Sequence, residues 1–138
     1  MRTTTVLSLL FVAVSAVVPG CTCIARDAET YRADTRSLLE TRSRALKDCY
    51  DVALATDPKL DGQVVVKFKV EKKTGKILDT ELDKERTKAP DSLGRCIVEA
   101  IDGLTLDPVD QREGQATFTW TFRANEPVQQ VAEDEANS

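Results

Sequence analysis

The four cysteines of this 138-residue chain, at positions 21, 23, 49 and 96, are the residues best placed to do chemistry. A thiol can be acylated, oxidised to a disulfide, used as a nucleophile or bound to a metal. The rest of the composition narrows that choice. The chain has no histidine, which removes Ser-His-Asp and Cys-His catalysis and the commonest metal ligand. The cysteine spacing lacks the paired ligands of a tetrahedral zinc site, and no glycine-rich phosphate loop occurs. Among the 23 Asp and Glu no pair of acids stands out for hydrolysis. No catalytic residue, metal or cofactor is expected, and the chain reads as a non-enzyme.

Cys21 closes the stretch Val18-Pro19-Gly20-Cys21. Before it, Arg2 gives a positive start, and Val6 to Val18 is apolar apart from Ser8 and Ser15. These are the parts of a secretory signal peptide over residues 1–20. A bilayer-spanning helix needs about 20 apolar residues, more than this run provides. The last four residues resemble the lipobox of bacterial lipoproteins, with an aliphatic residue, a tolerant position, a small residue and then cysteine. The resemblance implies a diacylglycerol on the Cys21 sulfur and an acyl group on its new amine. Two or more chains anchor a protein stably where one does not. The alternative is ordinary cleavage near Gly20, leaving a plain thiol. Thr22 stands where aspartate marks retention in the inner membrane, so the analogy places the chain at the outer membrane, facing the periplasm. Residues 21–33 are read as a lipidated polar tether. Cys23 has no assigned role: it is a free thiol, or bridges to a partner or a second copy.

Cys49 and Cys96 each fall on the apolar face of an expected helix. The first helix begins at Asp34 and carries Leu38, Leu39, Leu46, Cys49, Tyr50, Ala53 and Leu54 at spacings of three and four. It ends near Thr56, because Pro58 excludes Asp57 from helical geometry. The second starts at Pro90-Asp91-Ser92, with Asp91 or Ser92 as its cap, and its apolar face is Leu93, Cys96, Ile97, Ala100, Ile101 and Leu104. Gly103 and Pro108 bracket its end. In an oxidising compartment two such cysteines favour a disulfide between the helices. The competing readings are two buried free thiols or a redox-active pair. The redox reading lacks a Cys-X-X-Cys motif and any neighbour that would stabilise a thiolate.

Three strands complete the pattern. Gly62 opens the first, where Val64, Val66, Phe68 and Val70 alternate with mostly polar residues. Lys72-Lys73-Thr74-Gly75 reads as a hairpin turn, with Gly75 supplying a positive φ. The return strand, Lys76 to about Leu82, alternates less regularly. The last strand, Gln115 to Arg123, puts Phe118, Trp120 and Phe122 on one face and threonines on the other. From Asn125 the tail is polar and acidic and reads as disordered. The expected fold class is therefore α+β, in the order helix-strand-strand-helix-strand. It is a three-stranded antiparallel sheet with two helices on one face, a domain over residues 34–124 with residues 125–138 as tail.

Removing residues 1–20, with their one charged residue Arg2, takes the net charge from −4 to −5. No basic patch with interleaved aromatics is present, which argues against nucleic-acid binding. Aromatic residues make up 5% of the chain, too few for an aromatic-lined ligand pocket, and no small-molecule substrate is evident.

Together these segments resemble the AgmX/PglI C-terminal domain, a relative of the TonB C-terminal domain. The residues that carry the likeness are Asp48-Cys49-Tyr50, Pro58-Lys59-Leu60-Asp61-Gly62 and the strand Val64–Val70. It continues through Gly75-Lys76-Ile77, Leu93 to Cys96-Ile97, Pro108 and the strand ending at Phe122, so it spans about residues 36–123. The chain departs from the pattern at Leu104-Thr105-Leu106-Asp107-Pro108, at the single Gly114, and in a last strand without proline. The resemblance implies a periplasmic protein-interaction module. It also implies strand addition at a sheet edge, for which the last strand from Ala116 to Phe122, with Phe118, Trp120 and Phe122, is the candidate because that stretch carries no charge to blunt its edge; the competing and favoured reading of Trp120 is a core residue packed on the helices. The expected partners are the membrane, through the lipid, and unidentified envelope proteins. The other readings are a thiol-redox protein using Cys49 and Cys96, or a purely structural subunit of an envelope complex.

Overall fold

The computed structural model describes residues 24–124 and 126–133. The signal segment, Cys21 and Cys23 lie outside them, as does the end of the tail. Among the described residues the order is α1 (Ala28–Glu40), α2 (Ser43–Thr56), β1 (Gly62–Val70), β2 (Ile77–Leu82), α3 (Asp91–Ile101), β3 (Gly114–Phe122) and β4 (Gln129–Glu133). The strands form one antiparallel sheet in the order β2-β1-β3-β4. The α+β class stands, with a fourth strand and a third helix beyond the expected three and two.

The fourth strand comes from the segment expected to be a disordered tail, and the third helix from a break in the expected first helix, whose N-terminal part extends back into the segment read as tether. Residues 24–33, read as tether, instead dock and enter α1. The Asp27 carboxylate accepts from the Thr30 N–H at 2.8 Å and caps the helix, satisfying a donor that the first turn leaves free. The tail supplies β4, which pairs Thr117–Thr121 of β3 with Gln129–Glu133. The single helix expected from Asp34 to Thr56 is broken at Thr41-Arg42. There the Thr41 hydroxyl bonds the Leu38 carbonyl at 2.6 Å, so a side chain competes for a group the helix ladder would use. At its other end α2 stops as expected, with Asp57 extended before Pro58.

β1 and β3 pair over their full nine residues, from Gly62↔Phe122 to Val70↔Gly114. That register puts Val64, Val66, Phe68 and Val70 on the same face as Phe118, Trp120 and Phe122. This face joins the helix residues Leu39, Leu46, Tyr50, Leu93, Ile97 and Ile101 in one core. At Gly114 a Cβ would stand 1.8 Å from the Tyr31 hydroxyl of α1, so a larger residue there needs the Tyr31 side chain to move. On the opposite face Lys67 and Lys69 are exposed and meet Asp83 at 2.9 Å and Asp79 at 3.0 Å.

The β1–β2 turn follows the expected chemistry. Gly75 has φ 68°, and a Cβ there would lie 2.2 Å from the Leu106 carbonyl oxygen. The weak alternation of β2 has a structural cause. The register shifts between Lys67↔Glu81 and Lys69↔Leu78, which places one extra residue in β2, a β-bulge. Asp79 sits in it at φ 51°. α3 starts at Asp91 with Pro90 in the cap position and no side chain capping it, so neither Asp91 nor Ser92 serves as the expected cap.

Candidate functional site

Cys49 and Cys96 form a disulfide that joins α2 to α3, with their Cα atoms 5.8 Å apart. Each helix presents its cysteine on the face it buries, and the two helices pack against each other, so the apolar periodicity that makes the core also aligns the sulfurs. Cys49 is 7% exposed and Cys96 is half-buried at the edge of the core. One residue on, the buried Tyr50 hydroxyl donates to the Leu60 carbonyl at 2.6 Å. This bond ties α2 to the loop that leads into β1. Burial, joined by the charges of Asp61 and Asp57, pushes the phenol upward, which keeps it a neutral donor.

The aromatic trio proposed as a contact surface is corrected by the fold. Phe118, Trp120 and Phe122 are 1%, 0% and 0% exposed, so no partner reaches them. Phe118 lies against Phe68, and Phe122 against Tyr50. Nor is β3 an edge: β1 holds one side of it and β4 the other. The physical reason is the tail, which uses the uncharged β3 backbone for itself. The terminal strands of the sheet are β2 and β4, and exposed apolar side chains lie on both, Leu78 on β2 and Val131, 51% exposed, on β4. The β4 seat is imperfect. Trp120 and Gln130 face each other across β3 and β4, and both Trp120 Nε1 and Gln130 Nε2 are buried donors with no hydrogen-bond partner.

A second cluster escaped the reading of the sequence. Arg26 and Asp110 are buried 84 positions apart. Asp110 accepts from the Arg26 backbone N–H at 2.9 Å and from that of Arg112 at 3.0 Å. The Arg26 guanidinium reaches Asp34 at 2.6 Å, the Pro108 carbonyl at 3.0 Å and the Asp110 carboxylate at 3.5 Å. Arg112 returns a bond to the Arg26 carbonyl. Burial opposes the charge on Asp110, but the two backbone donors and the Arg26 charge outweigh it and hold the carboxyl below its usual value. Nearby, burial pushes the Tyr31 phenol well up, with the Asp110 charge adding to it. These contacts fasten the N-terminal segment to the α3–β3 loop. Asp27 three residues before Thr30 was the available sign that structure begins this early; the Arg26–Asp110 contact itself is long-range and has no local sign.

No described group of three or more His, Cys, Asp or Glu could hold a metal ion. No described helix is long and apolar enough to cross a membrane. No family model matches the chain, and neither curated proteins nor solved structures give a match.

Proposed function

We propose that this chain is a cell-envelope lipoprotein, acylated at Cys21 and held at the outer membrane, that acts as a non-catalytic protein-interaction module of the TonB C-terminal-like kind. The observation that carries the interaction reading is the terminal position of β4 in the sheet. Its outer backbone edge pairs with no strand among the described residues, and it carries the exposed Val131. An extended partner segment can add there through main-chain hydrogen bonds, with side-chain pockets giving specificity. This moves the proposed docking edge from β3 to β4.

The Cys49–Cys96 disulfide supports an oxidising compartment. It also favours a structural role over redox chemistry. Thiol–disulfide exchange needs access for an attacking thiolate, and Cys49 is buried within the core.

The reading is tested by a photo-crosslinking residue placed at Val131 in the membrane-tethered protein. A discrete adduct with an envelope protein, missing when the probe replaces Lys59 in the α2–β1 loop, is the expected result. Absence of any adduct from Val131 and from Leu78, the exposed apolar position on β2, would count against an interaction module. Thiol titration of the unreduced, denatured protein separates the redox reading: two titratable thiols at Cys49 and Cys96 would remove the staple.

A further inference from the structure

We infer that one end of the domain, built from Ile24, the α3–β3 loop and the β1–β2 hairpin, lies flat against an anionic phospholipid surface, with Lys72, Lys73 and Lys76 as its headgroup contacts. The inference rests on acylation of Cys21 as proposed above.

The first argument is reach. Ile24 is fixed to the α3–β3 loop: its N–H donates to the Val109 carbonyl at 3.2 Å, and its carbonyl accepts from the Gln111 N–H at 2.8 Å. The buried Arg26–Asp110 cluster locks the next turn of chain to the same loop. Cys21 precedes Ile24 by three residues, and three residues span at most about 10 Å when fully extended. An acyl group on Cys21 therefore brings this end of the molecule to the bilayer, whatever path those residues take. Residues 21–33 cannot act as a long flexible tether.

The second argument is what else occupies that end. The same loop runs beside the hairpin: Leu106 N–H donates to the Gly75 carbonyl at 2.7 Å, Ile77 N–H donates to the Leu104 carbonyl at 2.7 Å, and Thr105 bridges to Lys76. The exposed lysines 72, 73 and 76 are thus carried on the membrane-proximal end. Glu71, in the same turn, is engaged by the Thr74 hydroxyl at 2.6 Å. Asp107 and Glu113 also sit at this end, which confines the attraction to the hairpin rather than spreading it over a broad basic surface. The chain as a whole is negative, so its net charge by itself does not draw it to an anionic bilayer, and the attraction rests on where the lysines are held. Lysines held at the headgroup layer are attracted to it within a Debye length.

The opposite end supplies an internal control. Lys59 and Lys88 are exposed there, beside Gly62, where Lys88 N–H donates to the Gln63 carbonyl at 2.8 Å. The nine residues of β1 separate the two ends by about 26 Å.

The test is lysine acetylation footprinting, read by mass spectrometry, on the full lipidated protein. Vesicles of phosphatidylcholine and phosphatidylglycerol are compared with neutral detergent micelles. The expected result is acetylation of Lys72, Lys73 and Lys76 slowed about threefold or more in the vesicles, with Lys59 and Lys88 unchanged. Equal rates at the two ends, or protection of Lys59 and Lys88 instead, overturns the proposed orientation. The premise is read separately from the intact mass of the chain, which reports whether Cys21 carries diacylglycerol. If it does not, the Cys23→Ser chain coupled through Cys21 to a maleimide lipid undergoes the same footprinting, so orientation is judged independently of cellular acylation. The Lys72→Glu/Lys73→Glu variant alters an exposed turn outside the core. It is expected to lose protection at Lys76 on the anionic vesicles, and full protection in that variant overturns the lysine contact.

Discussion

Arg26 and Asp110 show how much a single buried pair can organise. Removing one member of such a pair leaves an uncompensated charge in the interior, a larger effect than losing a surface ion pair. Asp110→Ala is expected to destabilise the domain by about 3 kcal/mol, at the low end for buried pairs, because Arg26 keeps its contact with Asp34; chemical denaturation measures it. The same residue has a pH signature. Its folded pKa lies below its unfolded value, which is near 3.9, so the unfolded chain binds the proton more readily. The stability it contributes is complete above about pH 5 and is lost as pH falls through the folded value. Asp110→Asn is therefore expected to show a shallower acid limb than the parent in denaturation curves between pH 6 and pH 2.5. Neither residue was legible as a site. In sequence Arg26 lies in a polar stretch and Asp110 in a loop, and only the docking of those segments removes both from water.

Among the elements, α2 and α3 were readable because their apolar faces repeat at helical spacing, and the disulfide followed from where those faces put Cys49 and Cys96. Closing a loop of 47 positions removes denatured-state entropy worth about 4 kcal/mol in the chain-entropy model. The Cys49→Ala/Cys96→Ala protein is expected to lose stability of that order, seen as a lower denaturation midpoint than that of the oxidised parent. The strand β4 was not readable. Gln-Gln-Val-Ala-Glu has little of the β-branched and aromatic content that marks strands, and it forms because β3 offers it an unpaired edge. With β4 gone, that edge is a template for another chain. Truncation after Ala124 is expected to cause self-association, which light scattering coupled to size exclusion reports; a monodisperse monomer would show that the β3 edge needs no cover. The break between α1 and α2 was equally hidden, since Leu39 and Leu46 continue the same periodicity across it and the interruption comes from the Thr41 side chain.

The whole molecule is a helix-covered sheet whose N-terminal segment is fastened at one end, and that placement gives the proposed lipid anchor its consequence. Cys21→Ala is expected to abolish incorporation of labelled fatty acid and move the protein from the membrane to the soluble envelope fraction. A label retained in that variant would place acylation elsewhere. A Cys49–Cys96 bridge was legible from the sequence, as was an α+β fold built on the hairpin Lys72–Gly75, the strands β1 and β3 and two amphipathic helices. These are local matters: periodicity, turn chemistry and proline restrictions act within a few residues of the chain. Tertiary structure alone decided the rest. It closed both sides of β3 instead of leaving it as an edge, recruited the tail as a fourth strand, and drew residues 24–33 out of a flexible tether. Each of those outcomes depends on groups far apart in sequence: an open strand edge accepting whatever backbone can satisfy it, and a buried charge finding its partner 84 positions away.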